Sequence, residues 1–262
     1  MSADASSEHA AAGAVVGDCR VAEVRRYGDY ARITVVAPEL AERSQPGQFA
    51  MVGVPTPGFH LRRPFSLHRV QADRVSLLLE VRGGGTAALA AAQVGDTLSL
   101  SGPIGNAFPL TGAPQALLAG GGIGAAPLQF LADRLTAGGV AVAAAFGFRD
   151  RRHARVAHAF ELEPLWLATD DGSQGSKGTV VDLLDHVPTQ AGTVVYACGP
   201  QAMLAALQPW AEQRGLQAFA SVEAHMACGT GVCHGCVVPT AEGYARACAE
   251  GPVFPLNDLV FP

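Results

Sequence analysis

Lysine is nearly missing from this chain: Lys177 is the single one among 18 basic residues in a length of 262. We read that arginine bias as genomic base composition rather than function. A basic excess is missing too. The net charge is −5, whereas a nucleic-acid surface is normally basic, so no nucleic-acid partner is expected. No apolar run approaches the roughly 18 residues of a spanning helix, and no charged start followed by a long apolar segment precedes Arg20. The expectations are no membrane insertion, a loose tail over residues 1–13, and a cytoplasmic protein. Disorder is excluded as well, because 49% of the residues are hydrophobic and only 16% are charged.

What is present is organised in three pieces. From about residue 14 to 110, short strand-like runs (Cys19–Tyr27, Ala31–Ala37, Gln48–Val54, Phe65–Val70, Val75–Val81, Thr97–Ser101) are separated by turn residues. That pattern suits an antiparallel sheet or barrel. From about 111 to 222, apolar runs (Ala116–Ala119, Val140–Phe146, Leu165–Thr169, Val194–Cys198, Ala218–Val222) alternate with helix-like stretches such as Pro127–Leu135 and Gln201–Arg214. Such alternation predicts βαβ units around a parallel sheet. The third piece, 223–262, carries most of the cysteines.

Cysteine is scarce, with six in all, yet three fall within Cys228-Gly-Thr-Gly-Val-Cys-His-Gly-Cys236. Structural disulfides are rare in the cytosol, so such clustering points to metal or redox chemistry. Cys228, Cys233 and Cys236 have the spacing C-x4-C-x2-C, and Cys248 follows after eleven residues. The first three match the wrap of plant-type [2Fe–2S] loops, which take a more distant fourth ligand. Gly229, Gly231 and Gly235 suit a loop whose amides must turn toward sulfur. Zinc is the rival, but structural zinc sites usually bring two short Cys pairs, and one is present here. Buried free cysteines are the third reading. His234 reads as a bystander, and Cys19 and Cys198 as core residues.

Two glycine-rich turns and one arginine suggest nucleotides. Arg63-Pro-Phe-Ser66 offers a guanidinium for phosphate and a hydroxyl for a ring edge. Val81-Arg-Gly-Gly-Gly-Thr86 opens a run of alanines, which places backbone amides at a helix N-terminus. Leu118-Ala-Gly-Gly-Gly-Ile-Gly-Ala-Ala-Pro127 lies between an apolar strand and a helix, where a nucleotide phosphate would rest. No acidic residue ends the second strand, which reads Phe146-Gly-Phe-Arg-Asp150. Cys198-Gly-Pro-Gln-Ala-Met203 suggests a second turn at the same sheet edge. Arg149, Arg151 and Arg152 suit a 2′-phosphate or, more simply, a solvated turn.

Taken in order, these motifs resemble the ferredoxin-NADP reductase superfamily over about residues 14–222. They are Pro46-Gly-Gln-Phe49, Arg63-Pro-Phe-Ser66, Gly85-Thr86, Gly120-Gly-Gly-Ile-Gly124, Thr169-Asp-Asp-Gly-Ser173 and Cys198-Gly-Pro200. The remainder, with Glu223-x-x-Met-x-Cys228, the cysteine set and Glu250-Gly-Pro-Val-Phe254, is similar to electron-transfer subunits of type B dihydroorotate dehydrogenases. The resemblance implies a Greek-key barrel with FAD held by Arg63, Pro64, Phe65 and Ser66, by Leu78, Leu79 and Glu80, and by Gly85 and Thr86. It implies NAD at an edge formed by Gly121, Gly122, Gly124, Cys198, Gly199 and Pro200. It implies a [2Fe–2S] cluster on Cys228, Cys233, Cys236 and Cys248. The implied partner is an FMN-containing dihydroorotate dehydrogenase catalytic subunit, two of each forming a heterotetramer. Two other readings stand beside it: a reductase serving a ferredoxin, hydrogenase or oxygenase, and a zinc-stapled regulatory module.

Overall fold

The computed structural model describes residues 14–261, so the tail 1–13 falls outside the described residues. Six strands close into an antiparallel barrel: β1 (Val15–Tyr27), β2 (Tyr30–Val36), β3 (Phe49–Val52), β4 (Arg63–Gln71), β5 (Arg74–Glu80) and β6 (Thr97–Ile104). Their order is β1-β2-β5-β4-β3-β6. Because β2 pairs with β5 across the intervening hairpin, the connection is a Greek key. The barrel interior follows from the period-two alternation of strands. Val21, Ile33, Val35, Leu67, Leu77, Leu79, Leu98 and Leu100 all point into one buried cluster.

Seven strands form the second sheet: β7 (Gln115–Gly121), β8 (Ala141–Phe148), β9 (Leu165–Thr169), β10 (Ser176–Lys177), β11 (Val194–Cys198), β12 (Gln217–Ser221) and the C-terminal strand Val253–Pro255. Their order is β10-β9-β8-β7-β11-β12 and then Val253–Pro255. All neighbours are parallel except the last, which runs antiparallel to β12. Every residue of β7 and β11 is buried, as expected of central strands covered on both faces. Helices Leu128–Ala137 and Gln201–Gln213 follow β7 and β11. Thus the two glycine turns come at the same end of the sheet, which is where open parallel sheets bind ligands.

The cysteine-bearing piece contains a two-stranded sheet, Val237–Thr240 with Gly243–Arg246. It is not a free appendage. Cys236, Ala247 and Cys248 share a buried cluster with Phe49 and Met51 of β3 and Ile104 of β6. Strand Val253–Pro255 then ties the same segment to β12. Among the described residues, no helix is long and apolar enough to cross a membrane.

Candidate functional site

Three features adjoin where barrel, sheet and cysteine module meet. The first is a cavity of about 240 Å³ floored by β4 and β5. Of the residues assigned to FAD, Pro64, Phe65, Ser66, Leu78, Leu79, Glu80 and Thr86 line it. Arg63 and Gly85 stand outside its wall, against each other: a Cβ on Gly85 would lie 3.4 Å from Arg63 Nε. The Arg63 guanidinium donates to the Leu61 carbonyl at 2.8 Å and leans on the Phe59 ring. Thr86 Oγ1 accepts from the amides of Arg82 and Gly83 at 2.9 and 3.2 Å, which folds the glycine turn against the cavity.

The second is a cavity of about 640 Å³ above the sheet edge, lined by Gly121, Gly122 and Pro200, three of the residues assigned to NAD, together with Tyr30, Phe148 and Arg149. Glycine is required here by closeness. A Cβ on Gly124 would meet Gly199 Cα at 2.6 Å, and one on Gly120 would meet the Phe146 ring at 2.6 Å. The turn after β7 and the turn after β11 are therefore in backbone contact. Of the three arginines considered for a 2′-phosphate, Arg151 binds Ser173 and Arg152 pairs with Asp29. Arg149 is the one that lines the cavity.

Cys198, assigned to the nucleotide edge, lines the first cavity. Strand alternation is the reason: Cys198 lies on the same face of β11 as Tyr196, and Val195 and Ala197 lie on the other. Burial pushes its thiol strongly upward, so it stays protonated.

Sequence reasoning missed part of the first cavity's wall. Phe49, Ile123, Glu223, Ala224 and Met226 all line it. Phe49, Ile123, Glu223 and Met226 are legible in the sequence only as motif letters. Burial raises the Glu223 carboxyl pKa, opposed by the Arg82 charge and reinforced by Glu80. Glu80, Arg82 and Ile123 belong to both cavities, so the two spaces share a wall.

The third feature is the cysteine loop. All six cysteines are free. Cys236 and Cys248 are buried with their sulfurs 3.2 Å apart, while Cys233 is exposed. Four backbone amides point at these sulfurs: Thr230 and Cys233 at Cys228 (both 3.4 Å), Gly231 at Cys248 (3.1 Å) and Gly235 at Cys233 (3.5 Å). Gly229 and Gly231 have φ of 69° and 78°, the left-handed region that lets the loop curl its amides inward. Burial opposes ionisation of Cys228, yet hydrogen bonds from Thr230 and Cys233 outweigh it and hold its pKa down at about 6. No three ligating side chains converge on one ion position among the described residues; the close pair is Cys236 with Cys248. A two-iron cluster asks for two thiolates per iron. A pair of adjacent sulfurs, two more on the same loop, and amides turned toward thiolate fit that demand.

A closed Greek-key barrel beside a parallel sheet, with adjoining cavities between them, is the fold of the ferredoxin-NADP reductase class. Solved structures of that fold overlie this chain. One is the NADH-dependent reduced ferredoxin-NADP oxidoreductase (TM-score 0.81, 24% identity, 93% of this chain and 90% of that one). Another is phthalate dioxygenase reductase (TM-score 0.62, 18% identity, 86% and 87%). Residues 223–260 match the family model for the iron–sulfur cluster binding domain of dihydroorotate dehydrogenase B. The electron transfer subunit of dihydroorotate dehydrogenase B (NAD(+)) from Bacillus caldolyticus is 40% identical over 238 residues, covering 87% of this chain and 91% of the relative. The same subunit from Bacillus cereus strain Q1 is 37% identical over 234 residues (84% and 89%). The chain belongs to this family of electron transfer subunits.

Proposed function

We propose that the chain couples NAD to a dihydroorotate-oxidising catalytic subunit that carries FMN, in pyrimidine biosynthesis. The observation that carries this reading is the shared walls. The first cavity adjoins the nucleotide cavity through Glu80, Arg82 and Ile123, and it adjoins the cysteine module through Phe49, Ala224 and Met226. Three cofactor positions in a row describe a relay. When bound, FAD exchanges electrons singly or in pairs, and so links the hydride chemistry of NAD to one-electron iron–sulfur chemistry.

The chain's own residues serve that order. Pro64, Phe65, Ser66, Leu78, Leu79 and Glu80 receive the flavin on the barrel, with Arg63, Gly85 and Thr86 toward its phosphates. Gly121, Gly122 and Pro200 line the space for a dinucleotide, and Gly124 and Gly199 hold that edge together. Cys228, Cys233, Cys236 and Cys248 supply four thiolates, and the loop amides offset their charge. We assign FAD binding to 14–110, NAD binding to 111–222 and the cluster to 223–262. The assembly is a heterotetramer of two of each subunit. A cytoplasmic setting suits six free cysteines.

Anaerobically purified protein is expected to contain FAD, iron and acid-labile sulfide. It should reduce ferricyanide with NADH, remain inert toward dihydroorotate, and make orotate formation NAD-dependent when a type B catalytic subunit is added. Cys233→Ser should abolish that coupling. Stoichiometric zinc without sulfide, or coupling that survives loss of the cluster, contradicts the relay.

A further inference from the structure

The cysteine loop is fastened from outside by one side chain. Arg246 Nη1 donates to the carbonyl of Gly231 at 2.7 Å, while the amide of the same Gly231 points at Cys248 Sγ at 3.1 Å. One glycine thus carries both contacts, its oxygen on the guanidinium and its N–H on a ligand sulfur. It is wedged in place: an added Cβ would lie 3.2 Å from Ala249 Cβ and 3.5 Å from Arg246 Nη1. Arg246 is itself held. Its Nε donates to Glu250 Oε1 and Oε2 at 3.1 and 3.0 Å, its Nη2 pairs with Oε1, and its backbone amide donates to Oε2 at 2.6 Å. The amides of Ala249, Glu250 and Gly251 all converge on the Arg246 carbonyl. The side chains of Arg246 and Glu250 are only 25% and 35% exposed, so this is not a loose surface pair.

We infer that Arg246 is a positioning residue for the iron–sulfur centre: clamped by Glu250, it holds the Gly231 amide on the Cys248 sulfur and thereby sets the reduction potential. The inference rests on the cluster assignment proposed above. The physical lever is that a hydrogen bond to a ligating sulfur, and a nearby cation, both favour the state with one more electron. Glu250 offsets much of the arginine's charge, so orientation of the amide is the larger contribution. Lysine cannot reproduce it. An ammonium lacks the planar fork that grips a carboxylate in two places and still reaches a carbonyl.

Arg246→Gln and Arg246→Lys separate charge from orientation. Both are purified anaerobically, the cluster midpoint is read by titration against its spin signal, and exchange of the Gly231 amide is followed in the same proteins. In Arg246→Gln the equilibrium constant for cluster reduction should fall about tenfold, which for a one-electron centre is a midpoint about 59 mV more negative. Arg246→Lys should move in the same direction by less, and the Gly231 amide should exchange faster in both. An unchanged midpoint in both variants overturns the proposal. So does loss of the cluster from both with flavin content intact, which would assign Arg246 to assembly instead of tuning. Native protein that holds FAD but neither iron nor sulfide overturns the cluster assignment itself, a result distinct from either.

Discussion

Arg82 Nη2 pairs with Glu80 Oε2 at 2.7 Å on the wall common to the two cavities proposed for flavin and nucleotide. Glu80 is largely covered while Arg82 is two-thirds exposed, so on the proposed assignment the pair stands between the two cofactors. An ion pair this open contributes about 0–1 kcal/mol to folding. Its position matters more than its strength.

Arg82→Met should therefore leave the melting temperature within a few degrees of native. The same change removes the cation facing both cavities. It should weaken NADH binding roughly tenfold, the lower range for losing a charge-assisted hydrogen bond. Rapid-mixing measurements of flavin reduction against NADH concentration report this directly. A native affinity would show that the dinucleotide lies elsewhere.

The two glycine turns make a second test. In Gly124→Ala the new methyl would meet Gly199 Cα at 2.6 Å and its nitrogen at 2.9 Å. Backbone cannot step aside as a flexible side chain can. Overpacking of this kind costs about 1–3 kcal/mol, and the turns must separate to relieve it. Expected are a lower melting temperature and weaker NADH binding with FAD content unchanged, since the barrel is untouched. Loss of FAD with retained NADH binding would reverse the assignment of the two cavities.

Glu223 gives a pH-dependent test. Burial raises its carboxyl pKa above the ordinary value of 4.5, against the pull of Arg82. A raised carboxyl contributes stability while protonated, below the unfolded value, and that contribution is lost as pH rises through the folded value. At neutral pH the buried carboxylate is a net cost. Glu223→Gln should raise the melting temperature at pH 7, with the advantage shrinking as pH falls toward 4.5. A pH-independent difference would mean that the carboxylate is solvated.

Much of this architecture is legible in the chain, for reasons specific to each element. Leu165–Thr169 and Val194–Cys198 are read residue for residue, because each is a bounded apolar run, the second buried along its whole length. β1 begins at Val15 rather than Cys19 because Val16, Gly17, Asp18 and Arg20 are exposed while their backbone pairs with β6, leaving no alternating apolar signal. Strand Val253–Pro255 is three residues long and ends in proline; what makes it a strand is the exposed edge of β12, which is a tertiary fact. The cysteine spacing announces its chemistry locally. The walls of the first cavity do not, since Phe49 and Glu223 come from segments 174 positions apart that meet only in the fold. Cys198 shows the same limit: the strand is readable, but which cavity its end faces is decided by what packs on each side.

The last test concerns the surface by which electrons would enter the chain from the catalytic subunit. Val232 is 77% exposed and immediately precedes the exposed Cys233, a proposed cluster ligand. An apolar side chain left in water beside the proposed cluster would offer a partner both contact and a short electron path. Hot-spot side chains at interface centres are worth about 2 kcal/mol or more, whereas rim contacts are nearly neutral. Val232→Asp places a charge where that contact would be desolvated, so it should weaken association with the catalytic subunit by at least about tenfold. The cluster's absorption and the NADH–ferricyanide rate should stay native, because neither depends on the partner. Val94→Asp is the control: Val94 is similarly exposed, at 68%, in the turn before β6, and its replacement should leave association unchanged. Equal affinity for native protein and Val232→Asp would move the docking surface away from the Cys233 face of the loop.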